Sequence, residues 1–114
     1  MNFDYEIKQL VDEDDFQKGK NISIHDITEN KKGFKGNEIL FYYDVESQTY
    51  YHDYSVVIQV IDHEVTGHSC DCYQYYINHS CKHVAAVLIN YYEEMVNYSM
   101  DDYIKSLSDR KSVV

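Results

Sequence analysis

Three cysteines and one histidine lie in a pattern that suits a metal ion. Cys70 and Cys72 are separated by one residue, eight residues follow, and Cys81 and His83 are again separated by one. Three thiolates and one imidazole are the ligand set of closed, tetrahedral structural zinc sites, and such soft donors favour zinc over magnesium or calcium. Because four protein ligands leave no coordination position for a substrate, the pattern predicts one structural Zn²⁺ ion and no catalytic residue.

The short spacing within each pair constrains the backbone. Residues two apart in a flat strand lie roughly 6.5 Å apart, whereas two sulfurs on one zinc ion come within roughly 3.8 Å of each other. The backbone at Asp71 must therefore curl, and we expect a strand to end there. We place Cys81 and His83 in the first turn of a helix, where unpaired N–H groups and the helix dipole favour a thiolate. The metal would join a sheet edge to a helix N-terminus.

Other interpretations of the cysteines explain less. Inert buried cysteines have no reason to fall within twelve consecutive positions beside a histidine. A disulfide between Cys70 and Cys72 would close a strained, very small ring and leave Cys81 without a partner. A catalytic pair of Cys81 and His83 is a further alternative, but two side chains in one helical turn rarely face each other correctly.

The remaining histidines carry a weaker signal. His68 and His79 flank the motif, as candidates for alternative ligands or for groups behind the ligands, although a surface position is the simpler interpretation. The other three show no partner pattern and are predicted to be exposed: His25, His52 and His63.

The elements that must position this motif begin with an N-terminal helix. One helical stripe is formed by four apolar residues, Phe3, Ile7, Leu10 and Val11. We interpret the acidic run 12–15 as a solvent-exposed face. Gly19 after Lys18 predicts the end of the helix, because glycine turns freely and a cation suits the negative end of the dipole.

After Gly19 the apolar pattern alternates, which predicts strands. A short strand is expected from Ile22 to about Thr28, and residues 30–37 have the composition of a loop. Further strands are predicted over about 39–45, over 54–60 and, after a turn at 62–63, up to Cys70. Three or four consecutive strands with short connections predict an antiparallel sheet.

The last third of the chain is predicted to be helical again. Ser80 is the expected N-cap, and the apolar stripe that follows comprises Val84, Val87, Leu88, Tyr91 and Met95. Residues 99–102 resemble a capping box that opens a short final helix. We therefore predict one α+β domain over 1–114, divided into an N-terminal helix (1–19), antiparallel strands (20–69), the zinc motif with its helix (70–96) and a short helix with a tail (99–114).

Composition excludes several classes of function. The chain has 114 residues, with 20 acidic and 10 basic side chains and a formal charge of −10, which argues against a protein that coats nucleic-acid phosphates. It contains no apolar run of bilayer length, no signal-like start and no phosphate-binding loop motif. We expect an intracellular protein in the reducing cytoplasm, with no membrane contact, no small-molecule substrate and no enzymatic activity.

The metal motif resembles a SWIM zinc finger. Residues 70–72 (C-D-C) and 81–88 (C-K-H-V-A-A-V-L) match the family's C-x-C and C-x-H pairs and its usual helix start. Residues 45–47 (V-E-S) and 54–58 (Y-S-V-V-I) are similar to the strands that precede the finger in bacterial Swi/Snf-type helicases. The similarity covers about residues 20–95. Many members have proline after the second cysteine, where this chain has Tyr73, which bears on local rigidity more than on metal binding.

The resemblance implies a binding role. SWIM fingers are thought to bind DNA or proteins, and in those helicases the SWIM region lies N-terminal to an ATPase with two RecA-like lobes. It also implies that Cys70, Cys72, Cys81 and His83 are zinc ligands, and it implies no catalytic residue. We therefore expect an accessory domain that contacts the ATPase domains of the same parent chain or another protein.

Direct DNA binding is the alternative. Residues 18–36 carry five lysines against Asp26 and Glu29, a local charge of +3. The residues expected to touch the phosphate backbone or stack on bases are Lys31, Lys32, Lys35, Tyr73, Tyr75 and Tyr76. Protein contact is favoured by the overall charge of −10 and by the tyrosine-rich strand region, with Tyr42, Tyr43, Tyr50, Tyr51 and Tyr54.

Overall fold

The chain folds into one four-stranded antiparallel sheet with helices before and after it. A computed structural model describes residues 3–47 and 52–95. The sheet has the order β1-β2-β3-β4, with β1 at Ile27–Lys35, β2 at Glu38–Glu46, β3 at Asp53–Ile61 and β4 at Glu64–Cys70. Helices α1 (Asp4–Lys8) and α2 (Glu13–Lys20) precede it, whereas α3 (Tyr73–Asn78) and the described part of α4 (82–95) follow. The predicted α+β class is confirmed.

The two central strands have the alternation that the sequence predicts. β2 and β3 pair in unbroken register from Glu38–Ile61 to Glu46–Asp53. Every second residue faces the core, and five of these are buried: Tyr43, Val45, Val56, Ile58 and Val60. The turn predicted at 62–63 is confirmed, because both residues have the positive φ angles, 52° and 69°, that a tight hairpin connection needs.

Helix α4 is the most deeply buried element in the described part of the chain. From Cys81 to Leu88, only Lys82 is exposed. The sheet packs on one side of α4, where the rings of Phe41 and Tyr91 are 5.3 Å apart. The N-terminal helices pack on another side, where Phe3 stacks on Tyr92 at 4.7 Å. A helix that is covered on several sides needs apolar residues around most of its circumference, and this explains the run V-A-A-V-L at 84–88.

The prediction of a single N-terminal helix is wrong. The chain forms two short helices there, α1 and α2. Asp12 has extended backbone angles (φ −67°, ψ 150°) and lies at the N-cap of α2. The acidic residues Glu13, Asp14 and Asp15 therefore occupy the first turn of α2, at the end of the dipole that attracts negative charge. The run marks the start of a helix, and it is not simply a solvent-exposed face.

The first strand also differs from the prediction. The expected strand at 22–28 contains a 3₁₀ turn over Ile24–Asp26, and the expected loop at 30–37 is mostly strand β1. Only Gly36 and Asn37 form the turn, with Gly36 at φ +63°. β1 lies at the edge of the sheet, and a register shift at Asn30 interrupts its pairing with β2. Because its side chains are mostly exposed, β1 lacks the apolar alternation that identifies buried strands.

Some predictions fall outside the described residues. These are the final helix and tail over 99–114 and two of the tyrosines predicted as contact residues, Tyr50 and Tyr51. Among the helices that the structure does describe, none has the length and apolar character needed to span a bilayer.

The contact between α2 and α4 predicts a strict size limit at Gly19. A methyl group there would lie 2.7 Å from Ala85 Cβ and 2.9 Å from the Ala86 amide nitrogen. We expect Gly19→Ala to destabilise the fold by about 1–3 kcal/mol, outweighing a helix-propensity gain of about 1 kcal/mol. Chemical denaturation measures this. Gly33→Ala is the control, because its methyl group would meet nothing closer than 3.5 Å. A Gly19→Ala protein as stable as the parent would contradict the close packing.

Candidate metal centre

The four predicted ligands come together in the folded chain. The sulfurs of Cys70, Cys72 and Cys81 and a ring nitrogen of His83 all lie within 4.8 Å of one another. Cys70 is half-buried, and the other three residues are buried. Cys70 Sγ and His83 Nδ1 are 3.9 Å apart. One ion can therefore contact all four donors, and this thiolate-rich set suits zinc.

The first pair of ligands is carried by a bend that strand β3 holds in place. Cys70 ends β4, and the chain curls at Asp71, as the sequence predicts. The Asp71 backbone N–H donates to the Ser55 carbonyl at 3.3 Å, and the Ser55 N–H donates to Asp71 Oδ1 at 2.9 Å. Cys72 is the N-cap of α3, and its sulfur accepts from the Tyr75 N–H at 3.4 Å. The residue between the two cysteines thus anchors both of them to β3.

The second pair of ligands begins helix α4. Cys81 directly precedes the helix, and its sulfur accepts from the Val84 N–H at 3.5 Å. The predicted N-cap at Ser80 is therefore one residue early. Cys72 and Cys81 share one arrangement, in which a helix-capping sulfur receives the amide three residues on. Backbone N–H groups and the positive end of a helix dipole both stabilise a thiolate.

The three thiols differ in how readily they lose a proton. A hydrogen bond from Cys70 lowers the pKa of Cys81 to about 4, although burial opposes the shift. The same hydrogen bond, together with burial, raises the pKa of Cys70, and burial raises the pKa of Cys72. Metal binding at neutral pH must therefore displace protons from Cys70 and Cys72, so metal affinity falls as the pH is lowered.

The imidazole ligand is held by a tyrosine from the sheet. The Tyr54 ring stacks on the His83 ring, with centroids 4.3 Å apart and an interplanar angle of 29°. The Tyr54 ring also makes an edge contact with the His52 ring, with centroids 4.7 Å apart. Packing of this kind restricts rotation of a ligand ring, and such surroundings tune metal sites. Tyr54, predicted from sequence as a contact-surface residue, is half-buried and packs on a member of the Cys/His cluster.

The segment between the ligand pairs is helical, which the sequence analysis missed. Two side chains of α3 point inward, Gln74 and Tyr75, whereas Tyr73, Tyr76 and Ile77 are 77%, 80% and 54% exposed. Gln74 bonds to Asp15, and Tyr75 packs against the core and bonds to His68. The three large exposed side chains leave an apolar surface on the outer side of the helix. We call the exposed side chains of Tyr73, Tyr76 and Ile77 the α3 face.

The two histidines that flank the motif have different environments. His68 is half-buried, and the Tyr75 hydroxyl donates to its backbone carbonyl and lies 2.9 Å from its Nδ1. Burial lowers the pKa of His68. The surface interpretation is thus wrong for His68. His79 is exposed and ends α3 in the left-handed conformation, with φ 54°. Neither belongs to the four-residue cluster.

A buried carboxylate from α2 holds the segment between the ligand pairs. Asp15 is only 2% exposed, and its two oxygens accept from Gln74 Nε2 at 2.8 Å and Ser80 Oγ at 2.6 Å. Ser80 Oγ in turn accepts from the Asp12 N–H at 2.9 Å. The serine hydroxyl is thus inserted between the N-cap and N3 residues of α2. The D-x-x-D spacing beside apolar Val11 and Phe16 is the signal in the sequence that resembles a capping box.

The residues proposed for DNA contact lie on two separate surfaces. Lys31, Lys32 and Lys35 are on edge strand β1, whereas the tyrosines Tyr73 and Tyr76 are on α3, which contacts the opposite edge strand β4. Three inter-strand spacings separate these edges, roughly 14 Å. The third linker tyrosine, Tyr75, is half-buried and bonded to His68. A ligand would have to cross the sheet to touch both groups.

Two lysines of β1 also pack on aromatic rings of β2. Lys31 Nζ lies 5.0 Å from the Tyr42 ring centroid, and Lys32 Nζ lies 5.3 Å from that of Phe41. Tyr43, predicted as a contact residue, is 1% exposed and belongs to the core. Lysine on an exposed edge strand also discourages pairing with other chains.

Comparison with known proteins adds no family assignment. No protein-family model, curated protein or solved structure matches the chain. The SWIM identity therefore stays a prediction from the motif, whereas the Cys/His cluster is a feature of the structure itself.

The ligand set predicts selective loss of metal on substitution of one histidine. Protein purified without chelators should hold about one zinc ion per chain, and His83→Ala should lower its zinc affinity by at least about tenfold. Elemental analysis and chelator competition measure the two quantities. His79→Ala is the matched control, because His79 is exposed and outside the cluster. Parent protein without zinc, or equal effects of the two substitutions, would contradict the assignment.

The buried carboxylate of Asp15 predicts that the segment between the ligand pairs depends on a residue that is distant in the sequence. Asp15→Ala leaves the Ser80 hydroxyl and the Gln74 amide without their acceptor, which should cost about 2 kcal/mol of stability or more. Amide hydrogen exchange over residues 73–80 should accelerate, because the segment loses its attachment to α2. Asp14→Ala is the control, since Asp14 is the exposed neighbour on the same helix. Unchanged protection over 73–80 in Asp15→Ala would show that this attachment is unimportant.

Proposed function

We propose that this protein is a zinc-stabilised interaction module of the SWIM type that binds another protein domain. The observation that supports this most directly is the α3 face. It lies between the two ligand pairs, so that metal binding and an exposed apolar surface occupy the same short segment. In this proposal the chain has a binding role and no catalytic one.

The closed ligand set supports a structural use of the metal. Three cysteines and one histidine complete a tetrahedral zinc site, and catalytic zinc sites keep a position open for water or substrate. The cysteine sulfurs also accept hydrogen bonds from the backbone at 3.4 and 3.5 Å, which helps to keep them in place as ligands. The metal therefore serves to hold α3 between β4 and α4.

The α3 face has the chemistry of a contact surface. Its tyrosines are 77% and 80% exposed, and tyrosine is enriched in the energetically dominant parts of protein interfaces. The segment behind it is attached through Asp15 and through the contact of Tyr75 with His68. A surface held in place in this way loses less conformational entropy on binding than a free loop would.

Charge favours a protein partner over nucleic acid. The chain carries a formal charge of −10, and three thiolates with one Zn²⁺ add a further negative charge at the metal. The basic residues of β1 lie at the opposite edge of the sheet from α3. The resemblance to helicase-associated SWIM regions extends the proposal to a specific partner, an ATPase core of two RecA-like lobes in the same parent chain or another protein.

A two-probe binding experiment tests this function. The zinc-loaded chain is titrated with a purified bacterial Swi/Snf-type ATPase core and, separately, with duplex DNA at low salt. We expect binding to the ATPase core that weakens about tenfold or more when Tyr73 and Tyr76 are both replaced by serine. Tyr5→Ser is the matched control, because Tyr5 is 72% exposed on α1.

The second probe decides between the two kinds of ligand. Salt-sensitive binding to duplex DNA that disappears when Lys31, Lys32 and Lys35 are replaced would overturn the proposal in favour of DNA. Binding to the ATPase core that is equally affected by the α1 and α3 substitutions would exclude α3 as the contact surface.

A further inference from the structure

A second binding site is indicated by a cleft beside the C-terminal end of the described part of α4. The cleft has a volume of about 660 Å³ and lies between β1, β2, β3 and α4. Its walls include the aromatic rings of Phe41, Tyr43 and Tyr91, and Glu29, Lys32 and Glu94 also line it. This size is typical of sites that take a small ligand or a few residues of a peptide.

One wall of the cleft carries a buried polar atom without a partner. The Tyr43 hydroxyl is buried and, within the described residues, makes no hydrogen bond. Burial raises the pKa of Tyr43, and the charges of Glu29 and Glu94 raise it further. Tyr43 and both of these glutamates line the cleft. Buried hydroxyls are normally hydrogen-bonded, so this one has unused hydrogen-bonding capacity.

The charged groups around the cleft are suited to a cation. Three carboxylates, from Glu29, Asp62 and Glu94, are opposed by the single lysine Lys32. The lysine nitrogen lies 4.0 Å from Glu29 Oε1 and 5.3 Å from the Phe41 ring centroid. The Lys32 ammonium group thus already lies at one side of the cleft. Burial and the nearby charge of Glu29 raise the pKa of Glu94, so an added positive charge would relieve this repulsion.

We propose that the cleft binds an arginine side chain carried by a basic, apolar-flanked segment of the partner protein. The planar guanidinium stacks on aromatic faces. The Phe41 and Tyr91 rings pack on each other, with centroids 5.3 Å apart and a tilt of 57°, and form an aromatic part of the cleft wall. The five N–H donors of the guanidinium match the Glu94 and Glu29 carboxylates and the lone pairs of the Tyr43 hydroxyl. The identity of the occupant rests on the proposed function, in which the partner is a protein that can present such a segment.

Other occupants fit the cleft less well. An uncharged apolar ligand would bury the carboxylates of Glu29 and Glu94 without a counter-charge, and it would leave the Tyr43 hydroxyl unpaired. A nucleic acid would bring phosphates towards three carboxylates. Arginine is preferred to lysine because an ammonium group is more strongly hydrated and cannot stack.

The test uses two probes of the same shape. The zinc-loaded full chain is titrated by NMR with the tripeptide acetyl-Leu-Arg-Leu-amide and with the same peptide carrying citrulline, which replaces the guanidinium by a neutral urea. We expect the arginine peptide to bind at least about tenfold more tightly, because charge-assisted hydrogen bonds to carboxylates are lost with citrulline. Equal binding of the two peptides, or no binding, would overturn the proposal.

Matched variants locate the site on the protein. Glu94→Gln should weaken binding of the arginine peptide about fivefold or more, whereas Glu93→Gln, its exposed neighbour on α4 and outside the cleft, should leave it unchanged. Equal losses in the two variants would reveal non-specific attraction to an acidic protein and would overturn the site.

Substitution of the buried tyrosine has two readouts of opposite sign. Tyr43→Phe should raise the melting temperature, because it removes an unpaired buried hydroxyl, and should lower affinity for the arginine peptide about threefold or more. A melting temperature that rises with unchanged affinity would exclude the hydroxyl from the site.

The peptide titration involves neither the ATPase core nor the α3 face, so the two proposals can fail separately. Loss of ATPase binding with retained peptide binding rejects the proposed function alone. Loss of peptide binding with retained ATPase binding rejects the cleft alone.

Discussion

The rest of the structure depends on the Cys/His cluster, which brings the end of β4 against the first turn of α4. Cys70 is the last residue of β4, and Cys81 and His83 lie at the start of α4. The donor atoms of these three residues and of Cys72 all lie within 4.8 Å of one another. Once the start of α4 is placed there, its buried residues cover the core face of the central strands. A chain of 114 residues has a modest core, and a metal bound only in the folded state adds its binding free energy to folding.

Support for the ligands comes from elements that are distant in the sequence. Ser55 on β3 holds Asp71, Tyr54 on the same strand stacks on His83, and Asp15 on α2 binds Ser80, 65 positions away. These contacts surround the cluster from the sheet side and from the helical side. The segment that carries α3 is therefore held by contacts with α2 and β4 beside the Cys/His cluster, and its exposed apolar face belongs to a helix with defined attachments.

The two proposed contact surfaces lie in different parts of the molecule. The α3 face lies beside β4, whereas the arginine cleft lies between β1 to β3 and the far end of α4. A partner that touched both would contact the sheet at two places and would be oriented by them. The acidic composition has a clearer meaning in this arrangement. It argues against a phosphate-coating surface, and around the cleft it supplies the carboxylates that a basic segment requires.

The sequence by itself determined the features that depend on short-range spacing. The four candidate ligands, strands β2 and β3, the turn at 62–63 and helix α4 each have a signal within a few residues, because pleat, helical turn and ligand geometry are local. Tertiary structure alone decided the rest. β1 becomes a strand because β2 offers its hydrogen-bonding edge, and the N-terminal helix breaks where Ser80 reaches the Asp12 amide. The burial of Asp15 and, within the described residues, the unpaired Tyr43 hydroxyl likewise arise only when distant segments pack. A local pattern such as D-x-x-D can mark the start of a helix, but it does not encode which distant group will meet it.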